Sequence, residues 1–376
     1  MRIAHVSDCY APRTGGIETQ VGALARSQSA AGHDVCVITA TPGAGTVRSG
    51  RDSDGAVTVF RVAAHVPGDL PVHPRAGRRT GQLLRSWQPD VVHVHTGVVS
   101  PFAWSALRAT AQAKVPRVVT VHSIWGPLAQ PGHRLLVSAL PWRDDHTVVT
   151  AVSSVAAEIV HRQLRVPVGV IPNGIDASLW PLREWQPDPD VLQLVSVLRL
   201  APRKRAVPLI DAIVAATARL SPTKDVVTHI IGDGPARAIV QRRIDHHGMG
   251  ESIRLTGRLD RRGIQREFAH SDLFVQASVR ESFGIAALEA RASGVPVIVR
   301  SQTGAGEFLT DGLDGILAND DLGITEAIVA LASDNVRMAA VQAHAAVPPG
   351  CDWEQVHAAA HAAYDQAICG SGGTME

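Results

Sequence analysis

The chain reads as two doubly wound α/β domains, and three observations carry that reading. Short apolar runs alternate with helical patterns from end to end, the pattern of parallel sheets covered by helices. At 376 residues the chain exceeds what one ordinary core supports. The run Trp180-Pro-Leu-Arg-Glu-Trp-Gln-Pro-Asp-Pro189 cannot form regular structure and reads as a linker. The expected division is 1–178 for the first domain, 179–190 for the linker and 191–351 for the second.

The strands follow in order. In the first half they are Ile3–Ser7, Asp34–Thr39, Val57–Phe60, Val91–His95, Val118–Val121, Val148–Val152 and Gly169–Ile171. In the second they are Leu192–Leu198, Val227–Ile231, Ile253–Thr256, Leu273–Gln276 and Val295–Val299. Asp352 to Ile368 has helical character with Asp352 placed to cap it. The tail Cys369-Gly-Ser-Gly-Gly-Thr-Met-Glu376 reads as loose. Ligands of open parallel sheets sit at the carboxyl ends of the strands, so the loops leaving these strands are where chemistry is sought.

Composition excludes several function classes. A formal net charge of +1 provides no field to draw the chain to nucleic acid or anionic lipid. Cysteines at 9, 36, 351 and 369 have no metal-ligand spacing and favour a reducing compartment. The apolar run after Met1 is far too short for a signal peptide, and no segment approaches a membrane span. A cytoplasmic protein is expected, with peripheral contact at the inner membrane face left open. The basic segment Arg75 to Arg85 could lie on a membrane, though a solvated helix is the plainer reading.

The most informative stretch is Arg280-Glu-Ser-Phe-Gly-Ile-Ala-Ala-Leu-Glu-Ala-Arg-Ala-Ser-Gly-Val-Pro-Val-Ile-Val299. Glu281 and Glu289 point the same way if the second lies on a helix and the first just precedes it. Ser-Phe-Gly between them would open that helix, with free amides aimed at whatever the acids flank. A ligand with hydroxyls at its ends and phosphate in its middle satisfies this pattern. Two solvated acids on an amphipathic helix would be the bland alternative, and the internal Ser-Phe-Gly and following Gly-Val-Pro-Val-Ile argue against it.

This stretch resembles the donor-binding signature of retaining GT-B glycosyltransferases of family four. The resemblance implies a GT-B fold: two Rossmann-like domains facing each other across a cleft, with a C-terminal helix, 352–376 here, crossing back to the first. It implies that Glu281 meets the sugar of a nucleotide diphosphate donor, that the amides of Phe283, Gly284 and Ile285 meet its diphosphate, and that Glu289 meets the ribose. Val195-Ser-Val-Leu-Arg-Leu-Ala-Pro-Arg-Lys-Arg205 resembles the family's Gly-Arg-Leu segment, which implies that Arg199 and Lys204 neutralise the diphosphate. Leu198 stands where Gly is usual, and Arg203 and Arg205 crowd the loop. Ile231-Gly-Asp-Gly-Pro235 resembles the family's Gly-Asp-Gly-Pro and implies that Gly234 lies near the nucleotide. Thr256-Gly-Arg-Leu-Asp260 resembles the base-contacting loop, where either backbone or Arg258 does the reading.

In the first half, Asp8 to Glu18 resembles the Gly-Gly loop that reaches toward phosphate and acceptor, with Gly16 the candidate. Thr120-Val-His-Ser123 places His122 where the family keeps an active-site histidine, although Ser123 departs from the usual Asp or Gly. Val170-Ile-Pro-Asn-Gly-Ile-Asp176 resembles a hinge or wall element. Val92-His-Val-His95 offers two histidines on one strand face, with no third ligand evident. Asp52-Ser-Asp54 and Asp188-Pro-Asp190 read as loops without metal-binding context. The expectation is therefore a retaining glycosyltransferase that moves a sugar from a UDP- or GDP-sugar to a hydroxyl acceptor, with no metal and no cofactor. A nucleotide-sugar epimerase of the same architecture and a non-catalytic binding subunit are the alternatives. A nicotinamide dehydrogenase is disfavoured, because no Gly-x-Gly-x-x-Gly follows the first strand.

Overall fold

The alternating apolar runs build two separate parallel sheets. The computed structural model describes residues 1–44, 48–64, 70–124, 137–182, 184, 186, 188–345 and 351–370. It divides into one unit of Met1–Gly174 with Trp353–Glu376 and another of Ile175–Asp352. No helix among the described residues is long and apolar enough to cross a membrane.

The first unit contains β1 (Arg2–Ser7), β2 (Asp34–Thr39), β3 (Gly50–Asp54), β4 (Val57–Arg61), β5 (Val91–Thr96), β6 (Arg117–Val121), β7 (Thr147–Ala151) and β8 (Gly169–Val170). They form one sheet in the order β3-β4-β2-β1-β5-β6-β7-β8. Every pairing is parallel except β3 with β4. Alternation along the strands sends Ala4, Val6, Val92, Val94, Val119 and Val121 to one core. Ile3, Val91 and Val118 go to the opposite face, where they meet Val356, Ala360 and Tyr364 of the helix Trp353–Cys369. The terminal helix therefore belongs to the first unit's core.

The second unit contains β9 (Val191–Val197), β10 (Asp225–Ile231), β11 (Ile253–Gly257), β12 (Leu273–Val275), β13 (Val297–Arg300) and β14 (Gly315–Ala318). Their order is β11-β10-β9-β12-β13-β14, all parallel. The order reverses beside β1 and β5 in the first sheet, and beside β9 and β12 in the second. Such switch points open a crevice at the carboxyl ends of the two strands.

Three expectations are corrected. The stretch 180–189 forms no helix or strand among its described residues, as its prolines require, but its start is packed: the Trp180 ring is buried 5.9 Å from Phe268, and the preceding Leu179 carbonyl accepts from the Gln265 amide. The second unit instead starts at Ile175, whose amide donates to the Cys351 carbonyl at 2.9 Å and ties its first residues to its last. Residues 183, 185 and 187 of that segment, and 371–376 of the tail, lie outside the described residues. Asp52 and Asp54 are not in a loop but on the antiparallel edge strand β3. That strand carries no apolar residue, which hid it, and its acids are engaged. Asp52 pairs with Arg61 at 2.7 Å, while Asp54 accepts from the Tyr10 hydroxyl at 2.7 Å and Arg26 at 2.6 Å. Finally, β14 was not expected; it is a short strand following Asp311-Gly-Leu-Asp-Gly315.

Candidate functional site

In the second unit the switch point brings Lys204 and Glu281, two of the residues that the sequence singles out, into contact. β9 ends and the chain passes Leu198-Arg199-Leu200 into a 3-10 turn, Pro202–Lys204. β12 ends and the chain reaches Glu281 a few residues later. Across this gap Lys204 Nζ lies 2.5 Å from Glu281 Oε2. Glu281 is buried and also accepts a long bond from Gln276 Nε2 at 3.4 Å. A buried carboxylate needs such partners, and a cation and an amide supply them. The carbonyl of Glu281 accepts from the Gly304 amide at 3.0 Å, which fixes the loop's backbone.

The following turn is shaped by one glycine. Gly284 has φ +90°, and a Cβ there would stand 2.6 Å from the Ala305 Cβ. Only glycine combines that conformation with that approach. The helix Ile285–Ala292 starts immediately after, so its first amides open beside Glu281. Phe283 is buried with its ring 5.6 Å from Phe308, which anchors the turn from below. Glu289 sits on the helix, half-buried. Burial pushes its carboxyl up to about 7, and the Arg261 guanidinium partly offsets that.

The remaining basic residues divide. Arg199 is exposed, and its guanidinium makes no ion pair among the described residues. Arg205 is committed to Asp321, which Arg300 also approaches at 3.4 Å. Gly234 has a packing role: a Cβ there would stand 2.3 Å from the Leu200 carbonyl oxygen, and at Gly232 1.9 Å from that of Leu198. Leu198 and Leu200 amides donate to the Ile231 and Asp233 carbonyls, so Gly-Asp-Gly clamps the loop that carries Arg199. Arg258 is exposed after β11, the outermost strand, two strands from the switch point. The Gly232 amide donates to the Gly257 carbonyl and links that loop to Gly-Asp-Gly.

The first unit holds Gly16 and His122. Gly16 is exposed and opens the helix Gly16–Ala30 behind β1. His122 follows β6, half-buried, and burial holds its imidazole down at about 4. Its Nε2 is 3.0 Å from His95 Nδ1, and His95 Nε2 is 2.9 Å from His5 Nδ1. The third ring absent from the sequence argument is therefore His5, brought beside His93 by the pairing of β1 with β5. His5, His93 and His95 form a fully buried group whose donor atoms lie within 4.8 Å of one another. Gly174 of the Pro-Asn-Gly segment exchanges two hydrogen bonds with the Gln20 amide, at 3.0 and 3.1 Å, and so forms a fixed wall of the first unit. Gln276, Arg261 and Asp321 had no motif to announce them; each is positioned by tertiary packing.

Comparison with known proteins gives a consistent result. The Glycosyltransferase Family 4 model matches residues 14–179, and the Glycosyl transferases group 1 model matches residues 191–334. A glycogen synthase of Mycobacterium tuberculosis is 31% identical, across 97% of this chain and 94% of that relative. A GDP-mannose-dependent alpha-mannosyltransferase of Mycolicibacterium smegmatis is 27% identical over 85% of each chain. Among solved structures, the sucrose-phosphate synthase of Thermosynechococcus elongatus aligns with a TM-score of 0.76 at 17% identity, covering 98% of this chain and 99% of that one. Anabaena HepE, in complex with UDP and glucose, aligns with a TM-score of 0.74 at 18% identity, covering 97% and 99%.

Proposed function

The chain belongs to glycosyltransferase family 4 and has the GT-B fold, and from that premise we propose that it transfers a sugar, with retention, from a UDP- or GDP-sugar to a hydroxyl acceptor. The observation that carries this reading is the second unit's switch point. A buried acid paired with a lysine, a glycine-started helix and a second acid on that helix sit together there. The arrangement suits a ligand with sugar at one end, diphosphate in the middle and ribose at the other. Glycolipid, polysaccharide and natural-product precursors all remain acceptor classes consistent with it.

In this reading Glu281 holds the donor sugar, Lys204 and Arg199 face the diphosphate with the amides after Phe283, and Glu289 accepts from the ribose hydroxyls. The bond between the sugar's anomeric carbon and the phosphate oxygen breaks, and a bond to the acceptor oxygen forms on the same face. The acceptor proton passes to the departing diphosphate oxygen. Fixed cations aimed at that oxygen stabilise the charge it gains. Lys204 enters this step from its ion pair, so donor phosphate competes with Glu281 for the ammonium. We also propose that the transfer needs no divalent metal, because Lys204 and Arg199 supply the charge, while Asp52 and Asp54 are bound to Arg61, Tyr10 and Arg26.

The test is a transfer assay with UDP- and GDP-sugars, a panel of hydroxyl acceptors and EDTA present. Product of the donor's own anomeric configuration by NMR is the expected result. Inverted product would sink retention. Activity lost in EDTA and restored by magnesium or manganese would overturn metal independence.

A further inference from the structure

On the face of the first sheet that meets the terminal helix, a chain of buried polar groups can be followed bond by bond. Gln28 Nε2 donates to the Tyr364 hydroxyl at 3.0 Å. Its Oε1 therefore faces His5 Nε2, at 2.8 Å. An amide oxygen only accepts, so His5 carries its proton on Nε2 and its Nδ1 is an acceptor. That Nδ1 meets His95 Nε2 at 2.9 Å, so His95 in turn is protonated on Nε2. His95 Nδ1 then accepts from His122 Nε2 at 3.0 Å.

The other branch agrees. The Tyr364 hydroxyl, accepting from Gln28, donates to His93 Nδ1 at 2.8 Å. His93 Nε2 donates to Thr120 Oγ1 at 2.7 Å, Thr120 to Thr150 Oγ1 at 2.7 Å, and Thr150 to the Val119 carbonyl at 3.4 Å. Reversing the Gln28 amide would reverse every bond in both branches and turn the Thr150 hydroxyl away from that carbonyl. One amide therefore sets the polarity of four imidazoles.

We propose that Gln28, acting through His5 and His95, is a positioning residue that fixes His122 as the Nε2–H tautomer, leaving Nδ1 as its accepting nitrogen. Burial keeps the chain neutral: His5 and His122 are held at about 4, and His93 and His95 well below the usual histidine range. In this tautomer the neutral His122 presents Nδ1 as a hydrogen-bond acceptor, and any role of His122 in catalysis depends on which nitrogen accepts. This last step rests on the glycosyltransferase reading; the tautomer assignment does not. A metal ion at His5, His93 and His95 is the competing occupant of the cluster. It would have to break the His5–His95 bond and displace the protons that the chain assigns.

The test is two-bond 1H–15N correlation NMR on the full chain with 15N-labelled histidine, which needs no substrate. Nε2–H at His5, His95 and His122 in the wild-type protein is the expected pattern. Gln28→Met should release His122 into a mixture of tautomers and lower kcat by about tenfold, the worth of one well-oriented hydrogen bond, with donor KM nearly unchanged. Tyr364→Phe, which unlocks the amide but spares the rings, should also mix the tautomers. Nδ1–H at His122 in the wild-type, a tautomer unmoved by Gln28→Met or Tyr364→Phe, or stoichiometric zinc in the purified protein would each overturn the proposal.

Discussion

Glu289 and Lys204 show how single side chains acquire opposite problems from burial. Glu289 lies on a helix with Arg261 as the charge offsetting its desolvation, and its carboxyl is pushed up to about 7. At pH 6 it is mostly protonated; above pH 8 it is a carboxylate able to accept from both ribose hydroxyls. Affinity for a nucleotide-sugar, whose diphosphate does not titrate in this range, should therefore rise about tenfold from pH 6 to pH 8. Glu289→Gln should flatten that dependence. A slope surviving in the variant would assign it elsewhere. Lys204 has the reverse problem, since its charge is already spent on Glu281 at 2.5 Å. Lys204→Ala should cut turnover by ~100-fold or more, and among the described residues it leaves the Glu281 carboxylate with the 3.4 Å bond from Gln276. Near-normal turnover in a folded Lys204→Ala protein would remove it from the diphosphate. The motif residues were legible as motifs, by residue type and spacing. Their mutual pairing was not, because Lys204 and Glu281 are 77 positions apart and meet only through the sheet order.

At the scale of elements, legibility followed apolar content. The run Val91 to His95 has its apolar and His positions set by period two and forms β5 with one further residue, Thr96. The strand Gly50–Asp54 has no such residues, since an edge strand with exposed backbone needs none, and pairing rather than burial defines it. The expected strand Val295–Val299 is shifted to Val297–Arg300, because Gly294 turns at φ +75° and Pro296 cannot donate to the ladder. The turn into the helix Ile285–Ala292 is the element on which the site depends most. Gly284→Ala places a methyl 2.6 Å from the Ala305 Cβ at a left-handed φ. It should destabilise the second unit by roughly 1–3 kcal/mol, from strain and contact together. Chemical denaturation of the variant checks this, and unchanged stability would mean the turn relaxes freely. The histidine chain is legible only in part. His93 and His95 share a strand face by spacing, whereas His5 joins them because β1 lies beside β5, and Gln28 and Tyr364 come from helices above the sheet.

For the molecule as a whole, two units with separate cores imply separate transitions. The helix Trp353–Cys369 is last in the chain but packs Val356, Ala360, Tyr364 and Ala367 against the first sheet. Ending the chain at residue 351 removes roughly 5–10 kcal/mol of apolar burial from that unit, comparable to a domain's whole stability. Calorimetry should show the first unit's transition lost and the second unit's retained; both transitions intact would contradict the assignment of the helix. Domain organisation was readable from length and proline content, but the boundary was not. Proline excludes helix and sheet at 181–189 without saying that Trp180 is buried against Phe268. The central claim, that the second unit's switch point holds a nucleoside diphosphate between Lys204 and Glu289, is tested most directly by calorimetric titration. UDP, GDP and ADP would each be titrated into wild-type, Lys204→Ala and Glu289→Gln proteins. At least one nucleotide should bind the wild-type protein one to one and lose roughly 1–3 kcal/mol in each variant. Binding of none of the three, or equal affinity in all three proteins, would contradict it.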